Sequence, residues 1–145
     1  IALDVTIAFD VPGAQSHEYV TRLGKGAAIK IMDGSVISDY RMVNFLKKTA
    51  TQNAIPWQPE ILPAGGTDTA GLQRYGKRGA IAGAISIPLR HIHQTIELAH
   101  KRDIHNCIEL LTAALLHLDQ HDWRFEHTWN REEGGKKEDD VFGFL

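Results

Sequence analysis

With 145 residues, 43% of them hydrophobic and 23% charged, the chain has the make-up of one globular domain large enough to bury a single core. A formal net charge of −2 and a pI near 6.5 argue against a nucleic-acid surface, which would need a basic stripe. No apolar run approaches the length of a membrane span, nothing resembles a signal peptide, and the lone Cys107 cannot form an internal disulfide, so a cytoplasmic location is expected.

Ile1 to Phe9 is rich in β-branched and apolar types and predicts a strand. Beginning directly in that pattern, the sequence reads as the middle of a longer protein. Asp10 to Gly26, with Pro12, Gly13 and Gly24, predicts a loop, and Ala28 to Met32 a second strand that ends at Asp33-Gly34. Ser38 or Asp39 can cap a helix whose apolar positions Met42, Phe45, Leu46 and Ala50 recur at helical spacing. Past Pro56, Trp57 to Leu62 predicts a third strand; Gly65-Gly66 then turns the chain, and Thr67 can cap a short helix reaching Arg74. Gly79 to Ile87 is a near-continuous apolar run, as expected of a strand buried on both faces of a mainly parallel sheet. Asp103 is the expected cap of a last helix, with Ile104, Cys107, Ile108, Leu111, Leu115 and Leu118 as one core-facing stripe. Strands alternating with helices predict an α/β fold, a three-layer α/β/α sandwich with a mostly parallel sheet, over residues 1–121. The tail, residues 122–145, carries the charged run Arg131 to Asp140 and an apolar end, Val141 to Leu145, which could dock on this domain or a neighbour or be a frayed end.

Two segments carry candidate chemistry. Arg90-His91-Ile92-His93 follows the strand-like Ala84-Ile85-Ser86-Ile87-Pro88, a way for an α/β enzyme to present a metal ligand at a sheet edge. Asp4 sits in the opening strand, and Ala64-Gly65-Gly66-Thr67-Asp68 lies between the two. Asp68 reads equally well as an acidic residue in the first turn of a helix, where it complements the macrodipole. Asp10 and Asp33 read as turn residues, and His91 as a packing residue. His100, His105, His117 and His121 read as a solvated helix face, because no His-Glu-x-x-His pattern accompanies them.

The blocks Leu3-Asp4-Val5-Thr6, Gly24 to Asp33, Leu62 to Asp68 and Ser86 to His93 resemble, in that order, the TET aminopeptidases. These are the dinuclear metallo-aminopeptidases of peptidase family M42, some members of which are named endoglucanases. The resemblance covers roughly Ile1 to Leu118. It implies that Asp4 binds one of two divalent ions, zinc or cobalt, and that His93 binds the other. It implies further that Gly66, Thr67, Asp68 and Arg90 line the substrate region. Peptides cut one residue at a time from the free amino end are the implied substrate, and a homo-oligomer, a dodecamer, the implied assembly. A carboxylate and a neutral imidazole are both suitable zinc ligands at about 2.0–2.2 Å, and paired ions about 3.5–4 Å apart can activate water. Gln94 and Leu89 depart from the small or hydroxyl residues usual in the family and bear on specificity rather than reaction type.

By the same resemblance, the family's N-terminal histidine, bridging aspartate and glutamate pair lie upstream of the position matching Asp4. One ligand per ion is then all this sequence holds, with no general base, and the chain alone is expected to be inactive. The alternatives are a non-catalytic assembly or regulatory subunit, or an endoglucanase; the last needs two carboxylates flanking the bond, and no convincing pair is legible.

Overall fold

The computed structural model describes residues 1–75 and 77–125. A five-stranded sheet is built from β1 (Ala2–Ile7), β2 (Ala27–Met32), β3 (Trp57–Ile61), β4 (Ala84–Arg90) and β5 (Leu98–Ala99). Its order is β1-β4-β2-β3, with β5 on β4; β1–β4 and β2–β3 are parallel, while β2–β4 and β4–β5 are short antiparallel pairings. The sheet is thus mostly parallel, and the fold is α/β as expected. Among the described residues α1 (Tyr40–Gln52) and α2 (Asp68–Arg74) connect strands, and α3 (Lys101–His117) follows β5.

Local chemistry explains the starts of α1 and α3. Asp39 caps α1, accepting from the Arg41 backbone N–H at 3.0 Å, and Met42, Phe45, Leu46 and Ala50 bury along one side. Leu46 is wholly buried and contributes on the order of 1.5–3 kcal/mol. The cap of α3 is His100, whose Nδ1 accepts from Arg102 N–H at 3.2 Å, and not Asp103 as the sequence suggests. Asp103 is fully buried inside the first turn, and its carboxylate accepts from Gly24 N–H at 2.7 Å and Gly26 N–H at 2.9 Å. Gly26 is required there: it has φ +97°, and a Cβ would meet the Pro56 carbonyl oxygen at 2.1 Å.

The expected stripe of α3 is only partly right. Cys107, Leu110 and Ala114 face the core, while Ile104, Ile108 and Leu115 are 37%, 57% and 59% exposed. A helix that is apolar around most of its circumference does not reveal which line of side chains is inward. The strand expected at residues 79–87 lies later, at Ala84–Arg90, where β1 supplies backbone partners through Leu89.

α1 and α3 pack together on one face of the sheet, over Ala27, Ile29 and Ile85, with Ile31 and Ile87 at the edge. Trp123 closes this core: its ring stacks at 5.1 Å from Phe45, and its carbonyl accepts from Arg41. His121 is drawn into the same cluster, 4.5 Å from Trp123 and 4.9 Å from Phe45, rather than standing on a solvated face. Both long helices therefore share one side, and the expected second layer is represented among the described residues only by the seven-residue α2. The apolar end Val141 to Leu145 lies outside the described residues.

Paired residues on adjacent strands point to the same face. Since Ile29 and Ile85 face the helices, Asp4, Thr6, Ser86, Ala28, Lys30 and Glu60 share the other face. Lys30 is 1% exposed and Glu60 0%. Charges so deep cost several kcal/mol each unless paired, and they pair with one another.

Candidate functional site

On the polar side of the sheet an open cleft of about 550 Å³ separates the edge of β1 from the turn and helix after β3. Leu3 and Asp4 form one wall; Ser35, Gly66, Thr67, Asp68 and α2 residues including Arg74 and Tyr75 form the other. Four expected site residues are therefore brought together: Asp4, Gly66, Thr67 and Asp68. Asp4 is half-buried, and its Oδ1 accepts from the Val5 backbone N–H at 2.8 Å. Two carboxylates and a guanidinium facing one wet cleft suit a ligand that carries both an ammonium and a carbonyl or carboxylate.

Thr67 occupies the residue before α2, yet its hydroxyl does not cap the helix. It donates to Asp33 Oδ2 at 2.9 Å and lies 3.0 Å from the Thr69 hydroxyl. Asp33 closes a tight turn, its Oδ1 accepting from Ser35 N–H, Ser35 O–H and Val36 N–H at 2.8, 2.7 and 3.0 Å. Burial works to raise the Asp33 carboxyl, but the hydrogen bonds from Ser35 and Thr67 and the Lys30 charge outweigh it, leaving the pKa below the ordinary value. Arg74 reaches back to the Ser35 carbonyl and fixes α2 against the same turn.

His93 and Arg90 stand elsewhere. β1 and β4 run parallel with Asp4 opposite Ser86, so the turn after Arg90 leaves from the far end of β4. His93 is exposed in that turn with φ +63°, and its backbone N–H donates to Glu97 Oε1 at 2.6 Å. It does not line the cleft of Asp4. His91, also at φ +63°, lines a separate, more apolar depression with Phe9, Ile92 and Ile96. Arg90 pairs with Asp10, Nε to Oδ1 at 2.8 Å and Nη2 to the backbone carbonyl at 3.0 Å. This pairing, with a further bond from Leu23 N–H, holds the Asp10 carboxyl below its ordinary pKa. The turn reading thus holds for Asp33, with an ion pair to Lys30 added, whereas Asp10 precedes the Val11–Ala14 turn and is held by the distant Leu23 and Arg90.

The donors suit a divalent metal chemically, but their number does not. Among the described residues no three His, Cys, Asp or Glu side chains lie close enough to hold an ion. Asp4 and His93 by themselves do not make a complete dinuclear centre, which needs several ligands on each ion.

Sequence reasoning missed Lys30, Glu60 and Arg74. Lys30 alternates with Ile29 and Ile31, so period two placed it opposite the core; nothing in the spacing said that this second face is buried as well.

Comparison with known proteins follows the same residues. The M42 glutamyl aminopeptidase family matches this chain over residues 1–110. A protein of Acetivibrio thermocellus, provisionally named an aminopeptidase, is 42% identical over 115 residues, covering 79% of this chain and 34% of the relative. The aminopeptidase APDkam598 from the archaeon Desulfurococcus kamchatkensis superposes with a TM-score of 0.74 at 41% identity, over 77% of this chain and 32% of that one. The TET1 peptidase of Pyrococcus horikoshii, which can assemble into a tetrahedron or a large octahedral shell, gives a TM-score of 0.57 at 29% identity, over 64% and 27%. The chain spans about a third of the length of the curated relatives it matches.

Proposed function

This chain belongs to the M42 glutamyl aminopeptidase family, and from that premise we propose that it forms part of the catalytic domain of a metal-dependent aminopeptidase acting on the free amino end of peptides. The observation that carries the reading is the cleft that joins Asp4 to Gly66, Thr67 and Asp68, two segments far apart in sequence yet walls of one space. Residues 1–121 are the catalytic portion in this reading. Asp4 donates to one of two divalent ions, zinc or cobalt. His93 donates to the other once the exposed turn that bears it, which stands apart from the Asp4 cleft in this chain alone, is brought to it by the segments that supply the remaining ligands and the general base. Gly66, Thr67 and Asp68 face the peptide, and Arg90, anchored by Asp10, borders the turn that bears His93. Assembly into a closed homo-oligomer, as its tetrahedral relative forms, is part of the same proposal. That the chain alone does not turn over substrate is part of the same proposal, in line with the lack of a three-donor cluster among the described residues.

A chimera tests this. The matched third of the Desulfurococcus kamchatkensis aminopeptidase is replaced by residues 1–118 of this chain and assayed on aminoacyl p-nitroanilides with zinc or cobalt. Turnover is expected, with a loss of at least about a thousandfold on Asp4→Asn or His93→Gln, as for other essential catalytic groups. A folded chimera whose activity and metal content survive both substitutions refutes the ligand assignment. Metal-dependent turnover by the unaltered 145-residue chain would overturn the inactivity reading.

A further inference from the structure

A continuous line of polar contacts runs beneath the cleft from one wall to the other. Thr6 of β1, two residues beyond Asp4 on the same face, donates to Glu60 Oε1 at 2.7 Å. Glu60 of β3 pairs with Lys30 of β2. The Lys30 ammonium lies 3.7 Å from Asp33 Oδ2, and that same oxygen accepts the Thr67 hydroxyl at 2.9 Å. Thr67 belongs to the opposite wall. Five side chains from five places in the sequence thus tie the strand carrying Asp4 to the turn carrying Gly66 and Asp68. Thr6, Lys30, Asp33 and Glu60 are each at most 3% exposed, so the contacts among them are closed to bulk water, and only the last, to the half-buried Thr67, reaches the cleft surface.

We infer that this relay is a positioning device: Thr6, Glu60, Lys30 and Asp33 set the separation of the two walls of the cleft and thereby the fit of the peptide. The inference rests on the reading of the cleft as the peptide site. Several observations favour it over a purely structural ion pair. A pair that only had to be neutral needs two members, whereas here the contacts continue beyond Lys30 and Glu60 in both directions. The Thr67 hydroxyl is withdrawn from the start of α2, where threonine ordinarily serves as a cap, and is spent on the relay instead. Glu60 Oε2 is left with no partner, so one oxygen carries both the Thr6 and the Lys30 contacts and couples them directly. A low local dielectric strengthens such linked hydrogen bonds and makes their geometry stiff.

The test uses amide hydrogen exchange on the whole chain, comparing wild type with Thr6→Val, Thr6→Ser and the neutral double variant Lys30→Met/Glu60→Gln. Thr6→Val cuts the relay at the wall opposite the turn. It is expected to speed exchange of the Gly34 and Ala70 amides, which bond to Ala64 and Thr67, by about tenfold. The interior amides of α1 and α3 stay unchanged, and Thr6→Ser, which keeps the hydroxyl, restores protection. The double variant opens the middle of the relay without stranding the Glu60 charge, while Asp33 keeps its donors Ser35, Val36 and Thr67, and it is expected to loosen the same two amides. In the active chimera, Thr6→Val is expected to raise KM several-fold with kcat nearly unchanged. Exchange that rises equally everywhere, that stays confined to β1, or that Thr6→Ser fails to restore overturns the positioning role. An inactive chimera with the exchange pattern intact would instead indict the peptidase reading and leave the mechanical link standing.

Discussion

Replacing Lys30 with methionine isolates the electrostatics of the polar face. The lysine side chain is 1% exposed and its Glu60 partner 0%, so methionine of similar length fills the space while the Glu60 carboxylate loses its cation. Asp33 is better placed to survive, because Ser35, Val36 and Thr67 still donate to it. Glu60 keeps only the Thr6 hydroxyl. Breaking a buried pair by removing one partner costs about 3–5 kcal/mol, against the roughly 5–15 kcal/mol that holds a domain together. At about 3–4 °C per kcal/mol for a chain of this size, the melting temperature of Lys30→Met should fall by on the order of 10 °C or more. Glu60→Gln, which preserves the acceptor for Thr6, neutralises the stranded charge, so the double variant should be more stable than Lys30→Met alone. Urea denaturation of the two single variants and the double variant closes a thermodynamic cycle, with an expected coupling of about 2 kcal/mol or more. A Lys30→Met cost below about 1 kcal/mol, or effects that simply add, would show that Lys30 is not paired in the way its position implies.

Other consequences are open to direct measurement. Asp103→Ala removes the acceptor for the Gly24 and Gly26 N–H groups, the second of them buried, and should cost about 1–3 kcal/mol in the same denaturation assay. Gly26→Ala sets a methyl against the Pro56 carbonyl at a φ of +97°, and soluble folded protein should be lost on expression. Burial, then the nearby Asp103, pushes the Cys107 thiol up to about 12, so a disulfide-exchange reagent at pH 8 should label it only after unfolding. Asp10 has a folded pKa below its ordinary 3.8 because of Arg90; its contribution is complete above that value and lost as pH falls through the folded one. Melting temperature should therefore drop below about pH 4, with a shallower drop in Asp10→Asn, the difference being kept modest by the solvent that still reaches this partly buried pair.

Strand and helix positions were legible where side-chain pattern and backbone chemistry agreed. Asp39 before a helical apolar repeat, Gly65-Gly66 before a short helix and the β-branched opening strand all stand where the sequence puts them. The misplacements have a common cause: long-range partners decided what local pattern left undetermined. β4 begins at Ala84 because β1 supplies its ladder from there. Asp103 looks like a cap by position, but the glycines that claim its carboxylate lie about eighty residues earlier. The outward line of Ile104, Ile108 and Leu115 is as apolar as the inward one, and only the packing of α3 against α1 and the sheet tells them apart.

The candidate site divides in the same way. Asp4 and the Gly66–Asp68 turn were found as separate blocks, and their meeting across one cleft follows from strand order, which the sequence does not print. Burial of the face beneath them was invisible, since a lysine and a glutamate alternating with apolar residues look the same as a solvated strand face until their partners are known. That hidden burial bears on function. A cleft whose walls are joined by exposed side chains can adjust to its ligand, because water competes for every contact. Here the connection runs through Thr6, Glu60, Lys30 and Asp33, each at most 3% exposed, before it reaches the half-buried Thr67, so moving one wall relative to the other must either break a hydrogen bond of a buried group or strand a buried charge. Either costs more than the few kcal/mol by which most ligands bias a conformational equilibrium. With the cleft as the proposed peptide site, discrimination should accordingly come from the fit to a fixed cleft rather than from closure around each ligand, and substitutions in the relay should alter selectivity between small and bulky N-terminal residues even though none of Glu60, Lys30 or Asp33 lines the cleft.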